Sequence, residues 1–331
     1  MRRRTFAAAA MAALILVGCQ PQAPDPVMPH QRPQAPGLVR LGPPPMPNLS
    51  GYPALPADDY LVTEQYTKYV SFQTPDGLNC RIGAMVGCDG ALHGTPAPAN
   101  EVELYGHPPV AVEVEPDGFR QTSTPQFTAP GGRPAKTLPV GHKIVYDGFQ
   151  CAVGVGAITV CTRGSPPASW FVLSPGRSAI GPRSSALPAR FPDPHDFVID
   201  ARNYGVGSGR TAMFPYFTVA SGLTCKIEIF SGGAFGCDGP LPGAPQDENE
   251  IYVDLSGRQV GMRETESPRF AAPNLTRPIR RLPAQYRLDY THETFTSCLA
   301  TVDGGVACIT DAPGHVQGFV VSPHAAWTFG G

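Results

Sequence analysis

Nine cysteines carry most of the chemistry available to this 331-residue sequence, and position divides them into one and eight. Cys19 closes the run Leu16-Val17-Gly18-Cys19, which has the form of a lipobox: an aliphatic residue, two small or tolerated residues, then cysteine. That pattern serves thioether formation between the thiol and a diacylglycerol, after which cleavage leaves Cys19 as the new N-terminus. The preceding residues agree. Arg2, Arg3 and Arg4 form a basic cluster, and the apolar run from Ala7 to Val17 is too short to cross roughly 30 Å of hydrocarbon as a helix. It fits the apolar region of a signal peptide instead. The expectation is a signal peptide over 1–18, a lipid on Cys19, and a place on the extracytoplasmic face of the cell membrane. Arg3-Arg4-Thr5-Phe6 also has the core of a twin-arginine signal. A plain Sec leader is often as basic, so both export routes stay open.

The other eight are Cys80, Cys88, Cys151, Cys161, Cys225, Cys237, Cys298 and Cys308. An even number in an exported chain implies disulfides rather than free thiols or zinc. None sits in a Cys-x-x-Cys pair, which argues against a metal or redox site. Neighbouring cysteines are separated by 8, 10, 12 and 10 residues, all even. Directly opposed hairpin residues have an even separation when the loop has an odd length. Glycine stands near each midpoint, at Gly83, Gly156, Gly232 and Gly304, where such loops use the left-handed region. Each set of four cysteines allows three connectivities. The parity favours the local one, four hairpins each closed by its own bond, and each bond contributes roughly 2.5 kcal/mol.

These staples need strands to hold them. The chain has 39 Pro and 37 Gly and only 16% charged residues, which disfavours long helices. Val110, Val112 and Val114 alternate with Glu113 and Glu115; Ile251, Val253 and Leu255 alternate with Tyr252 and Asp254. Both read as half-buried antiparallel strands. Residues 57–71 are the best helical candidate, diluted by Val62, Thr63 and Thr67.

The same order of residues occurs twice. Gly77-Leu78-Asn79-Cys80 returns as Gly222-Leu223-Thr224-Cys225, Cys88-Asp89-Gly90 as Cys237-Asp238-Gly239, and Phe171-Val172-Leu173-Ser174-Pro175 as Phe319-Val320-Val321-Ser322-Pro323. A nearly constant offset points to internal duplication. The expected fold is mainly β: two tandem antiparallel repeats, each with two disulfide-closed hairpins. Residues 19–57 read as a lipidated N-terminus and Pro-rich tether, with twelve prolines over 20–57. Repeat 1 is placed at 58–180, a linker at 181–194 and repeat 2 at 195–331.

Phe72-Gln73-Thr74-Pro75-Asp76-Gly77, Cys80, Cys88-Asp89, Leu138-Pro139-Val140-Gly141, Phe149-Gln150-Cys151 and Phe171-Val172-Leu173-Ser174 together resemble a family of exported actinobacterial proteins of unknown function. Many of its members are predicted lipoproteins. The likeness covers 72–174 and 217–322, resting in the second repeat on Cys237-Asp238, Leu282-Pro283, Val306-Ala307-Cys308 and Gly318-Phe319-Val320-Val321-Ser322. It implies an envelope address and disulfides, and carries no catalytic residue across.

Other motifs do less. Gly205-Val206-Gly207-Ser208-Gly209 lacks the lysine of a phosphate loop and reads as a turn. His292-Glu293 has Thr296 where a zinc-protease helix needs histidine. His195 lies near Asp193 and Asp196 and has the composition of a metal site, but the segment borders the proline-rich linker and is not read as one. Glu113 and Glu115 read as a solvated face rather than a calcium site. No Gly-x-Ser-x-Gly turn is present, and Ser174-Pro175, Ser322-Pro323 and the two Cys-Asp-Gly runs read as turns. Trp170 and Trp327, near the repeat ends, are candidate binding aromatics.

The leader holds three of the 25 basic residues and no acid, so the mature chain has 22 basic against 27 acidic side chains and no basic block for nucleic acid. The leading expectation is a non-catalytic, lipid-anchored envelope protein that binds a protein or glycan, with no cofactor and no metal. A secreted hydrolase with its site at the repeat interface, and a structural or inhibitory module, are the alternatives.

Overall fold

A computed structural model describes residues 46–105, 117–128, 135–182, 187–206, 214–228, 233–245, 247–271, 277–291, 294–312 and 315–330. The leader, Cys19, Val110–Glu115 and His292-Glu293 lie outside these residues. In chain order the strands begin with β1 (Ala54–Leu55), β2 (Leu61–Glu64), β3 (Thr67–Gln73), β4 (Asn79–Ile82), β5 (Met85–Asp89), β6 (Glu101–Tyr105) and β7 (Gly118–Arg120). Then come β8 (His142–Tyr146), β9 (Phe149–Gly154), β10 (Ile158–Arg163), β11 (Ser169–Leu173), β12 (Ala179–Gly181) and β13 (Val198–Ile199). The second half has β14 (Tyr216–Thr218), β15 (Thr224–Ile227), β16 (Ala234–Asp238), β17 (Glu250–Asp254), β18 (Gln259–Arg263) and β19 (Arg280–Arg281). It closes with β20 (Tyr286–Thr291), β21 (Phe295–Ala300), β22 (Val306–Ala312), β23 (His315–Val321) and β24 (Ala326–Phe329). Among the described residues the only helical elements are short 3-10 turns, and no helix is long and apolar enough to cross a membrane. The mainly β expectation holds.

Each expected hairpin forms with its cysteines directly opposed: Cys80 with Cys88 on β4–β5, Cys151 with Cys161 on β9–β10, Cys225 with Cys237 on β15–β16, and Cys298 with Cys308 on β21–β22. All four disulfides are local, and their Cα–Cα distances of 4.0–4.1 Å are close to a non-hydrogen-bonded antiparallel pair. The intervening loops, 83–85, 155–157, 228–234 and 301–305, all have odd lengths. Gly156 and Gly304 take positive φ in theirs. Gly232 lies outside the described residues.

Over 57–71, the best helical candidate, no α-helix forms. Only Ala57–Tyr60 turns, as one 3-10 element; the rest is the β2–β3 hairpin, with Glu64 opposite Thr67 around Gln65-Tyr66. The β-branched residues that dilute helix propensity suit a pleated surface.

Cysteine pairs from two sheets meet in each core. In the first half Cys80, Cys88, Cys151 and Cys161 are buried in one cluster with Phe72, Val102, Leu104, Phe149 and Phe171. In the second, Cys225, Cys237, Cys298 and Cys308 are buried with Phe217, Phe235, Ile251, Val253 and Phe319. Alternation along each strand sends every second side chain into this core. Ile251 and Val253 are inward as their pattern requires, with Leu255 packed at the margin.

Sheet order joins the halves. One six-stranded sheet runs β1-β8-β9-β10-β11-β12 and another β18-β17-β16-β15-β14-β19. Between them a twelve-stranded sheet runs β2-β3-β4-β5-β6-β7-β13-β20-β21-β22-β23-β24, with β7 and β13 parallel neighbours. Tyr286 packs against both cores, and residues 43–331 form one compact unit.

Two segments read as connectors take part in the fold. Residues 46–57, at the end of the expected tether, contain a 3-10 turn over Leu49–Gly51 and β1, which pairs parallel with β8. Leu49 buries itself against Ala152, Val160 and Val172. Within the expected linker, Phe191 is buried beside Leu299, Ile309 and Val320. Both segments cover the outer face of a sheet whose inner face already holds a disulfide.

Candidate functional site

The linker's path over the second-half sheet creates a cavity of about 300 Å³ where the halves meet. Strand alternation places Phe295, Ile309 and Val316 on the outer face of β21, β22 and β23, where they form apolar walls with Leu187. Asp117, Asp193, His195, Arg287 and Asp311 add polar groups to the lining. Mostly apolar walls with a few converging polar groups are the usual composition of a small-molecule site.

A 3-10 turn over Pro194–Asp196 sets His195. Asp193 caps the turn, its Oδ1 accepting the His195 backbone N–H at 3.1 Å. The same oxygen lies 3.4 Å from His195 Nδ1. Burial, and then the positive charge of Arg287, push the His195 imidazole down to about 4, against the opposing pull of Asp193 and Asp289. A quarter of its side-chain surface stays exposed, so the group is desolvated by the turn yet reachable from the cavity. At neutral pH it is uncharged.

Arg287 comes from β20 and is 2% exposed. Its Nη1 donates to Pro194 O at 2.8 Å and its Nη2 to Asp117 O at 2.8 Å. Its Nε lies 2.8 Å from Asp289 Oδ2, two residues along the same strand face. That contact lacks hydrogen-bond alignment, so it is an ion pair held by charge, with both carboxylate oxygens short of a directed donor. Arg287 thereby ties the turn, β20 and the entry to β7 together. Asp117 Oδ1 accepts the Tyr105 N–H at 2.8 Å, and burial raises its carboxyl above the ordinary carboxylate range.

The Cys-Asp-Gly runs do structural work nearby in each core. The Asp89 carboxylate accepts from Phe127 N at 2.7 Å, and Asp238 accepts from Phe270 N and Ala271 N, both at 2.6 Å. These bonds seat the Phe127 ring over Gly87 and the Phe270 ring over Gly236, where an added Cβ would lie 2.2 Å and 2.4 Å from the rings. The two aspartates are anchors for covering loops, which is more than the turn role their sequence suggests.

The expected aromatics are both half-buried. Trp170 presses on Gly181, within the cluster covered by Leu49. Trp327 packs on the cluster of Phe191 and Ile309, its ring 5.5 Å from Phe329, and so stands behind the cavity wall. The cavity does not gather the two tryptophans. It gathers Asp193, read from sequence as linker, and His195, weighed there as a metal ligand and set aside, together with Asp117 and Arg287, which local motifs miss. One signal for Arg287 is present in the sequence: Arg287-Leu288-Asp289 places opposite charges on the face that a strand's apolar residue leaves. Among the described residues no group of three or more His, Cys, Asp or Glu could hold a metal ion. Gly205 bridges Pro215, while Gly207–Gly209 lie outside the described residues.

No family model, curated protein or solved structure matches this chain. The site must be read from its own chemistry.

Proposed function

We propose that this is a lipid-anchored binding protein of the cell envelope, attached through Cys19, with the cavity between its halves as the ligand site. The observation that carries this reading is the composition of the cavity: walls of Leu187, Phe295, Ile309 and Val316, with Asp117, Asp193 and Asp311 on its polar side. Arg287 donates to two carbonyls and pairs with Asp289, and the polar side of the lining is mainly carboxylate. The ligand class that fits pairs an apolar body with a hydroxyl or ammonium group. A glycan terminus carrying an apolar substituent, or a basic side chain of an envelope protein, has that chemistry.

The contact between His195 and Asp193 also suits a hydrolase, the alternative from sequence. Two features favour binding. Among the described residues no serine, threonine or cysteine lines the cavity, and an imidazole held near 4 is a poor proton acceptor at neutral pH. The resemblance to an exported lipoprotein family supports the address.

The test has two arms. Replacing Cys19 by alanine should release the protein from the membrane fraction; unchanged fractionation removes the anchor. Calorimetric titration with envelope glycan fragments and short basic peptides should show saturable binding, abolished by filling the cavity with Ile309→Trp. Turnover of an envelope substrate that depends on His195 would replace binding with catalysis.

A further inference from the structure

We propose that this protein associates head to tail with further copies of itself, the β18 edge of one copy pairing with the β1 edge of the next. The template is the β7–β13 junction already inside the chain.

β1 and β13 hold the same place in the two halves. Ala54 pairs with Lys143 on β8, and Ile199 pairs with Arg287 on β20, both parallel. Each strand follows a 3-10 turn capped by a side chain, Asn48 in one case and Asp193 in the other. Lys143 Nζ donates to Leu49 O at 2.8 Å, just as Arg287 Nη1 donates to Pro194 O at 2.8 Å. β7 and β18 correspond as closely. Glu101 opposes Arg120 and Glu103 opposes Gly118; Glu250 opposes Arg263 and Tyr252 opposes Gly261.

Within the chain the β7-type edge meets the β13-type edge, with Val198 opposite Phe119 and Ile199 opposite Arg120. The contact is heterologous, so one use of it leaves the complementary edge unused at each end. Among the described residues β18 ends its sheet on one side and β1 ends its sheet on the other. Repeating the junction between copies puts Pro53 opposite Met262 and Ala54 opposite Arg263. The two six-stranded sheets then fuse into another twelve-stranded sheet like the one already present.

Three details suit the free edges to this contact. Gly118 leaves room for Ile199, since an added Cβ would lie 2.1 Å from Ile199 Cδ1. Gly261 holds the corresponding place at the β18 edge, with the Tyr252 ring over it: an added Cβ would lie 3.2 Å from Tyr252 Oη. Pro53 costs nothing on the free side, because its carbonyl accepts from Lys143 N and so faces β8. The next residue, Ala54, then turns its N–H and C=O outward. Finally, Lys143 has N–H groups beyond the one given to Leu49, placed as Arg287 is when it donates to Asp117 O. The matching acceptor in the neighbouring copy is Val260 O.

The measurement is sedimentation of the mature chain carrying Cys19→Ser, followed to about 1 mM, which reaches contacts as weak as Kd ~1 mM. Average mass should climb with concentration past the dimer. Ala54→Pro removes the outward donor of β1, and Gly261→Val blocks the approach to β18; each variant alone should be monomeric. Mixed in equal amounts, they should form dimers that grow no further, because each supplies the edge the other lacks. A wild-type chain that stays monomeric throughout overturns the proposal. So does association that survives either variant, or variants that fail to pair when mixed although each is folded by its four intact disulfides and unchanged circular dichroism.

Discussion

Arg287 Nη2 donates to the carbonyl of Asp117 at 2.8 Å, so one side chain of β20 grips the backbone that leads into β7. The sequence distance between them, 170 residues, makes this the longest-range side-chain bond at the cavity. It joins the two halves through the same residue that shapes the polar end of the site. Under the proposed binding role, stability and ligand binding are coupled there.

Arg287→Met should destabilise the fold by about 3–5 kcal/mol, because buried Asp289 loses its ion-pair partner and two carbonyls lose a donor. Urea unfolding checks the size of the loss. The double variant Arg287→Met with Asp289→Leu should recover much of it. A double variant no better than the single one would show that the carbonyl bonds, not the ion pair, hold the junction.

His195 predicts a pH dependence with a definite sign. Its pKa is about 4 in the fold, below the usual 6.5, so the unfolded chain binds the extra proton between these values. Stability from this residue is complete above about pH 6.5 and falls as the pH drops toward 4, by at most about 3 kcal/mol. His195→Gln should flatten the difference between unfolding free energies at pH 7 and pH 4.5. An unchanged difference would assign the acid sensitivity to other groups.

Asp117 works in the opposite direction. Burial raises its carboxyl, so the fold holds that proton more tightly than the unfolded chain does, and the benefit is lost as the pH rises through the folded pKa. Asp117→Asn keeps an oxygen to accept from Tyr105 N and carries no charge to bury. The variant should gain on the wild type as the pH goes from 4 to 7. Thermal melts across that range decide it.

Asp89→Ala and Asp238→Ala should each cost about 1–3 kcal/mol by orphaning the buried N–H of Phe127 or Phe270. The loops they hold should open locally. Hydrogen exchange at Phe127 and Phe270 should rise far more than at the cysteine strands, whereas uniform loss of protection would mean that the aspartates support the whole core.

Much of the local structure was legible in the residues themselves. Even spacing between cysteines favours opposed positions on a hairpin, because an odd loop then leaves the two residues facing each other across the strands. Alternation at Ile251, Val253 and Leu255 marks an inward face for the same reason. Over residues 57–71 the β-branched Val62, Thr63 and Thr67 already weaken the helical reading, and pairing of Glu64 with Thr67 settles the stretch as a hairpin.

Only the tertiary structure decided where the halves join and what lies between them. β13 is two residues long and has no local signature; Val198 and Ile199 become a strand because β7 and β20 flank them. His195 lies in a segment whose prolines read as a break, yet Phe191 and Leu187 press that segment onto the β20–β24 sheet and leave the cavity beneath it. Spacing along the chain determines which cysteines face each other. Contacts across 170 residues decide that Arg287, Asp117 and His195 meet, since such contacts depend on how whole sheets stack and not on any run of neighbouring residues.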